Sequence, residues 1–197
     1  NNGALPLTQD ETQKITLLGF SSYYPVQGGD MGSSLVENTG TDADTVDMVA
    51  AFKAKGFGLN QTVADMYEAL QPTFKSEVQS WGGTIEYNHI TAPSTTGVFS
   101  SKEPSQAALD GQNAAWKDSM NDNNVMIVTI ARSASENGTY QPGTAGVDPT
   151  QNLNQTDPLG LSDDERDLIN AAVTAKAANG GKVIVLLNNA SAMEVQE

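Results

Sequence analysis

Apolar residues along this chain fall into two kinds of pattern. Short unbroken runs occur at Lys14-Ile-Thr-Leu-Leu-Gly-Phe20, at Val125-Met-Ile-Val-Thr-Ile-Ala131 and at Lys182-Val-Ile-Val-Leu-Leu-Asn188. Runs of that length, without polar alternation, predict strands buried on both faces of a sheet. Helical spacing separates them. Thr45–Lys55 places Val46, Val49, Ala50 and Lys53 at that spacing, with Gly56 as a stop. Val63–Trp81 carries a stripe of Met66, Tyr67, Leu70, Phe74, Val78 and Trp81, read as core and expected to break in two at Pro72. Gln106–Met120 reads as one further helix, and Phe57–Asn60 and Thr84–Ile90 as short extended pieces.

The last helix has the sharpest boundaries. Ser162-x-x-Glu165 is a capping box, and Asn179-Gly-Gly181 ends the segment. The acidic group Asp163, Asp164, Glu165 and Asp167 sits in its first turns, where the helix dipole favours negative charge. Strands alternating with helices predict an α/β fold, a three-layer αβα sandwich on a mostly parallel sheet. A single domain over 1–197 is expected, interrupted by a long polar loop at 138–160. The start at Asn1 and the stop after a strand suggest a piece of a longer polypeptide.

Charge narrows the partners. With 24 acidic against 10 basic residues the net charge is −14, which opposes nucleic acid or an anionic membrane as a partner. A surface rich in Asn, Gln, Ser, Thr and Gly permits a neutral polar ligand such as a sugar. There is no cysteine, so thiolate chemistry and disulfides are excluded. The cytoplasm is favoured, with no signal peptide and no apolar run of membrane-spanning length in view. Asn-x-Ser/Thr sequons open at Asn60, Asn137, Asn154 and Asn189, and we read no glycosylation from them.

Ligands of open α/β sheets lie outside the carboxyl ends of the strands. Glu136, just past the second strand and followed by the turn pair Asn137-Gly138, occupies that position as a loop carboxylate. By position alone it is a bystander or a general acid. Arg132, at the strand end, either orients a ligand or forms an ion pair with a nearby aspartate. The loop Gly28-Gly-Asp30-Met-Gly-Ser-Ser34 is neither G-x-G-x-x-G nor a Walker loop, so it lines a neutral-ligand pocket or makes a structural turn. His89 has no His or Cys partner, and neither a metal nor a cofactor is expected.

Four stretches, in order, resemble glycoside hydrolase family 3 in its α/β-sandwich domain. They are Asn2-Gly-Ala-Leu-Pro-Leu with Lys14-Ile-Thr-Leu-Leu-Gly, and the Gly28–Ser34 loop. Next comes Ile130-Ala-Arg-Ser-Ala-Ser-Glu136. Last are Leu161-Ser-Asp-Asp-Glu-Arg-Asp-Leu-Ile with Val183-Ile-Val-Leu-Leu-Asn-Asn-Ala-Ser-Ala-Met-Glu-Val. The segment Gly82–Gln112 carries none of it. The resemblance implies a retaining, β-glucosidase-like hydrolase acting on β-linked glycosides. Glu136 would be its general acid/base, and Arg132, Ser135 and Asp30 its substrate-binding residues. The nucleophilic aspartate would come from a TIM-barrel domain of the same polypeptide, so the chain alone would be inactive. Two other readings stand beside it: a non-catalytic carbohydrate- or partner-binding α/β module, and a nucleotide-binding domain that the charge opposes.

Overall fold

The computed structural model describes residues 3–7, 14–25, 47–74, 76–80, 83–87, 103–132, 160–189 and 192–196. Three strands, β1 (Ile15–Leu18), β4 (Val125–Arg132) and β5 (Lys182–Asn189), form a parallel sheet in the order β1-β4-β5. Ile15 lies opposite Val125, and Val125 opposite Lys182, so the strands start level. Leu59 adds a single parallel bridge to Ile15, all that forms of the extended piece expected at Phe57–Asn60. β2 (Ser76–Ser80) and β3 (Gly83–Tyr87) make a separate antiparallel hairpin.

Alternation along the strands divides the core into two layers. Ile15, Leu17, Val125 and Ile127 face α1 (Met48–Ala54) through Met48, Val49 and Phe52. Leu18, Met126, Val128 and Ile130 face the other way. There they meet Val63, Met66, Tyr67 and Leu70 of α2 (Gln61–Phe74), Leu109 of α3 (Gln106–Gln112), Trp116 of α4 (Trp116–Ser119), and Leu168, Ala172 and Ala175 of α5 (Asp163–Asn179). Helices thus cover both faces of a parallel sheet, as the continuous apolar strands predict.

Four expectations need correction. Pro72 does not break α2: it sits inside the helix, in the final turn, where few backbone bonds remain to be lost. Beyond Phe74 the chain enters the strand β2 and not a second helical piece, so Val78 belongs to a hairpin. The helix expected over Gln106–Met120 is two short ones. Asn113 adopts an extended conformation (φ −157°, ψ 99°), and its side-chain oxygen accepts the Ala115 N–H, restarting the chain as α4. Finally, β5 is not buried throughout. It is an edge strand among the described residues, and Val185, Leu186 and Leu187 are exposed.

The capping box of α5 forms in full, with Ser162 and Glu165 each bonding the other's backbone N–H, and Gly180 closes the helix in the left-handed region at φ 72°. Asn60 is buried and donates to Thr16 Oγ1 (3.1 Å) and Ser119 Oγ (2.9 Å), which takes that sequon out of reach of a glycan. No helix among the described residues is long and apolar enough to cross a membrane.

Candidate functional site at the strand carboxyl ends

The parallel strands deliver three chain segments to one end of the sheet. β1 turns at once through Gly19 into a short 3-10 turn, Phe20–Ser22. Gly19 has φ 88°, and a Cβ there would lie 2.3 Å from the backbone oxygen of Thr129 on β4. Only glycine meets both conditions. The turn is then fastened to its neighbours. Ser22 Oγ donates to Leu18 O (2.7 Å) and lies 2.7 Å from Thr129 Oγ1, while Ser21 Oγ donates to Asn188 Oδ1 on β5 (2.9 Å).

A buried polar network lies beneath this turn. Glu103 is almost wholly buried; its Oε2 accepts the Phe20 N–H at 2.9 Å and its Oε1 accepts the Tyr67 hydroxyl at 3.2 Å. The Tyr67 oxygen in turn accepts the Gly19 N–H at 3.0 Å. Tyr23 stacks on Tyr67 with ring centroids 4.8 Å apart and donates to Leu17 O. Burial pushes the Glu103 carboxyl up to about 8; the Phe20 N–H and Tyr67 hydroxyl oppose this, while Glu165 and Asp164 add to it. Burial first, then the Glu103 charge, raises the Tyr67 hydroxyl well above its ordinary value.

Arg132, the last residue of β4, is fully buried. Its guanidinium makes a bidentate pair with Glu165 (Nη1–Oε1 2.7 Å, Nη2–Oε2 2.9 Å) and donates to Ala131 O (2.7 Å) and Gly160 O (2.6 Å). One side chain therefore ties the strand end where residues 133–159 begin to the point where the chain re-enters α5. The ion pair weighed from sequence is made, with a glutamate rather than an aspartate. Glu165 serves twice, because the same carboxylate completes the capping box. Asp164 beside it is raised, by burial first and then by Asp167, Asp163 and Glu165.

Of the residues expected at the site, the structure describes Arg132, which ends β4 and is held by protein groups. Glu136, Ser135 and Asp30 lie outside the described residues, as does His89. Glu103 is the residue that sequence reasoning missed, since it sits in a stretch that reads as a polar excursion. The available signal was indirect: a tyrosine in the apolar stripe of α2 needs a partner for its buried hydroxyl. Among the described residues no group of His, Cys, Asp or Glu side chains is arranged to hold a metal. A groove of about 450 Å³ between α4 and α5, lined in part by Lys117, Asp118, Asn170 and Thr174, lies away from the strand carboxyl ends.

No family model matches the sequence, and no curated protein matches it. Solved structures do. The chain is similar to β-glucosidase 3B from Thermotoga neapolitana in its complexes with α-D-glucose, with glucose and with glycerol, each at a TM-score of 0.62 and 24% identity. The match covers 99%, 99% and 100% of this chain but 22% of the other, so the chain spans about a fifth of the length of the structures it matches. The likeness is one of fold, and it agrees with the α/β-sandwich architecture that the sequence motifs resemble.

Proposed function

We propose that this chain is the α/β domain of a retaining β-glycosidase that removes terminal β-linked sugars, with an active site completed by a barrel domain of the same polypeptide. The observation that carries the reading is the fold match, over nearly the whole chain, to a β-glucosidase solved with glucose. The crevice supports it: β4 ends in a rigidly held Arg132, and Glu136 comes four positions later on the segment leaving that anchor.

In this reading the barrel's aspartate attacks the anomeric carbon while Glu136, protonated, gives its proton to the departing glycosidic oxygen. Water then attacks the glycosyl-enzyme ester, and Glu136 takes the water's proton. The sugar leaves with its configuration retained, and both carboxyls end as they began. Such chemistry requires the two carboxyls about 5–5.5 Å apart, so the barrel must seat against this end of the sheet. Ser135 and Asp30 contact sugar hydroxyls, and Arg132 acts through the backbone it anchors. The domain by itself hydrolyses nothing.

The test uses the full-length protein and aryl β-glycosides. Glu136→Ala should lower kcat/KM for poor leaving groups by about 10²–10⁴, with a smaller loss for an activated aryl group that departs without protonation. Equal activity of the variant on both substrates contradicts the assignment. A full-length protein without a barrel carboxylate would favour a non-catalytic sugar- or partner-binding module.

A further inference from the structure

The most unusual group in the described residues is one the proposed chemistry does not use. Glu103 is almost wholly buried, is bonded to neutral donors, and sits under the turn that follows β1 at the carboxyl end of the sheet. We infer that Glu103 and Tyr67 are a positioning pair that sets the Gly19–Tyr24 turn, and that loss of the Glu103 proton releases it. The assignment of the turn as a wall of the sugar site rests on the proposed function. The effect on the turn does not.

Geometry carries the inference. Two successive backbone donors of the turn end on this pair: Gly19 N–H on the Tyr67 oxygen and Phe20 N–H on the Glu103 carboxyl. The turn they fix reaches β4 through Ser22 and β5 through Ser21. Among the described residues, the charged and titratable groups around Glu103 are few and unhelpful to an anion. Tyr67 on α2 is neutral and stacked on Tyr23 of the turn. Glu165 and Asp164 on α5 are acids, and Arg132 on β4 is committed to Glu165. A carboxylate formed here has no described cation bonded to it, and desolvation disfavours it. Opening the turn to water relieves that charge, and the Gly19 and Phe20 donors are freed with it.

Both residues act through the backbone, so the readout is the backbone. Amide hydrogen exchange of the 15N-labelled chain is followed from pH 6 to pH 9, with exchange corrected for its intrinsic base catalysis. In the wild type, protection of Gly19 and Phe20 should fall at least tenfold across that range and stay below that of Ile127 and Val128 in β4, which open only with the whole domain. Glu103→Gln keeps the shape and a neutral acceptor, so protection of the turn should become independent of pH. Tyr67→Phe should lower protection of Gly19 at every pH and leave the pH response of Phe20 in place. Constant wild-type protection, or an equal fall in Glu103→Gln, overturns the inference. If Glu103→Gln does not fold, the wild-type profile alone decides, with the β4 amides reporting global opening; turn amides as well protected as the β4 amides at pH 9 also overturn it. No sugar enters this measurement. Normal turnover by full-length Glu136→Ala would sink the proposed function and leave this result standing.

Discussion

Replacing Arg132 by methionine keeps most of its apolar length and removes the guanidinium hydrogen bonds to Glu165, Ala131 O and Gly160 O. The Glu165 carboxylate that remains is 2% exposed and loses the Arg132 guanidinium. Breaking a buried pair from one side costs about 3–5 kcal/mol, because an uncompensated charge is left behind. That is a large part of the roughly 5–15 kcal/mol by which a domain is stable. Removing both charges in Arg132→Met with Glu165→Met takes the buried anion away but also removes the bond from the Ser162 N–H to the Glu165 carboxylate, worth about 1 kcal/mol. The double variant should therefore cost clearly less than the sum of the singles, leaving a coupling of about 2 kcal/mol or more. Urea unfolding monitored by fluorescence of Trp116, which is fully buried, measures all three. The coupling should change little between 0.05 and 0.5 M salt, unlike that of the exposed Lys117–Asp110 pair. Single variants costing under about 1 kcal/mol, or strictly additive ones, would refute the reasoning.

Two other outcomes concern the same end of the sheet. The Glu103 carboxyl is raised from 4.5 to about 8, so the native state holds a proton that the unfolded state gives up. Stability from this group is complete below pH 4.5 and is lost as pH rises through 8, with a ceiling of about 5 kcal/mol. In urea melts Glu103→Gln should accordingly gain on the wild type by a few kcal/mol between pH 5 and pH 9, and a constant gap would rule this out. Gly19→Ala combines a positive φ with a backbone clash against Thr129 O, so a loss of roughly 3 kcal/mol or more is expected by the same melts, and a loss under about 1 kcal/mol would contradict the packing described.

The elements that were legible in sequence are those whose cause is local or periodic. β1 and β4 announce themselves as unbroken apolar runs because helices cover both faces, whereas β5 carries the same pattern with Val185, Leu186 and Leu187 exposed. The start and end of α5 are written in Ser162, Glu165 and Gly180, whose capping partners lie within about one helical turn. Elsewhere the deciding partner is remote. Pro72 looks like a breaker unless one knows that the helix ends two residues later. Asn113 interrupts a helical pattern through its own side chain, against an alanine-rich background that points the other way. Glu103 is indistinguishable from a solvated glutamate until Phe20, 83 positions earlier, and Tyr67 are folded against it. Arg132 was legible as a strand-end residue with two possible fates, and only the arrival of the α5 N-terminus identifies its partner. For Ser135, Glu136 and Asp30 the sequence motif remains the source of the assignment.

The central claim is that Glu136 works as acid and base on a covalent glycosyl-enzyme whose nucleophile lies on a barrel. Full-length Glu136→Ala, given an activated aryl β-glycoside and azide, tests it directly. Without the base, water attacks the intermediate slowly, whereas azide needs no proton removed and attacks from the face that Glu136 served. The account predicts azide-accelerated release and a β-glycosyl azide as the product. Wild-type turnover without azide, or acceleration yielding only the α-glycosyl azide, would contradict it.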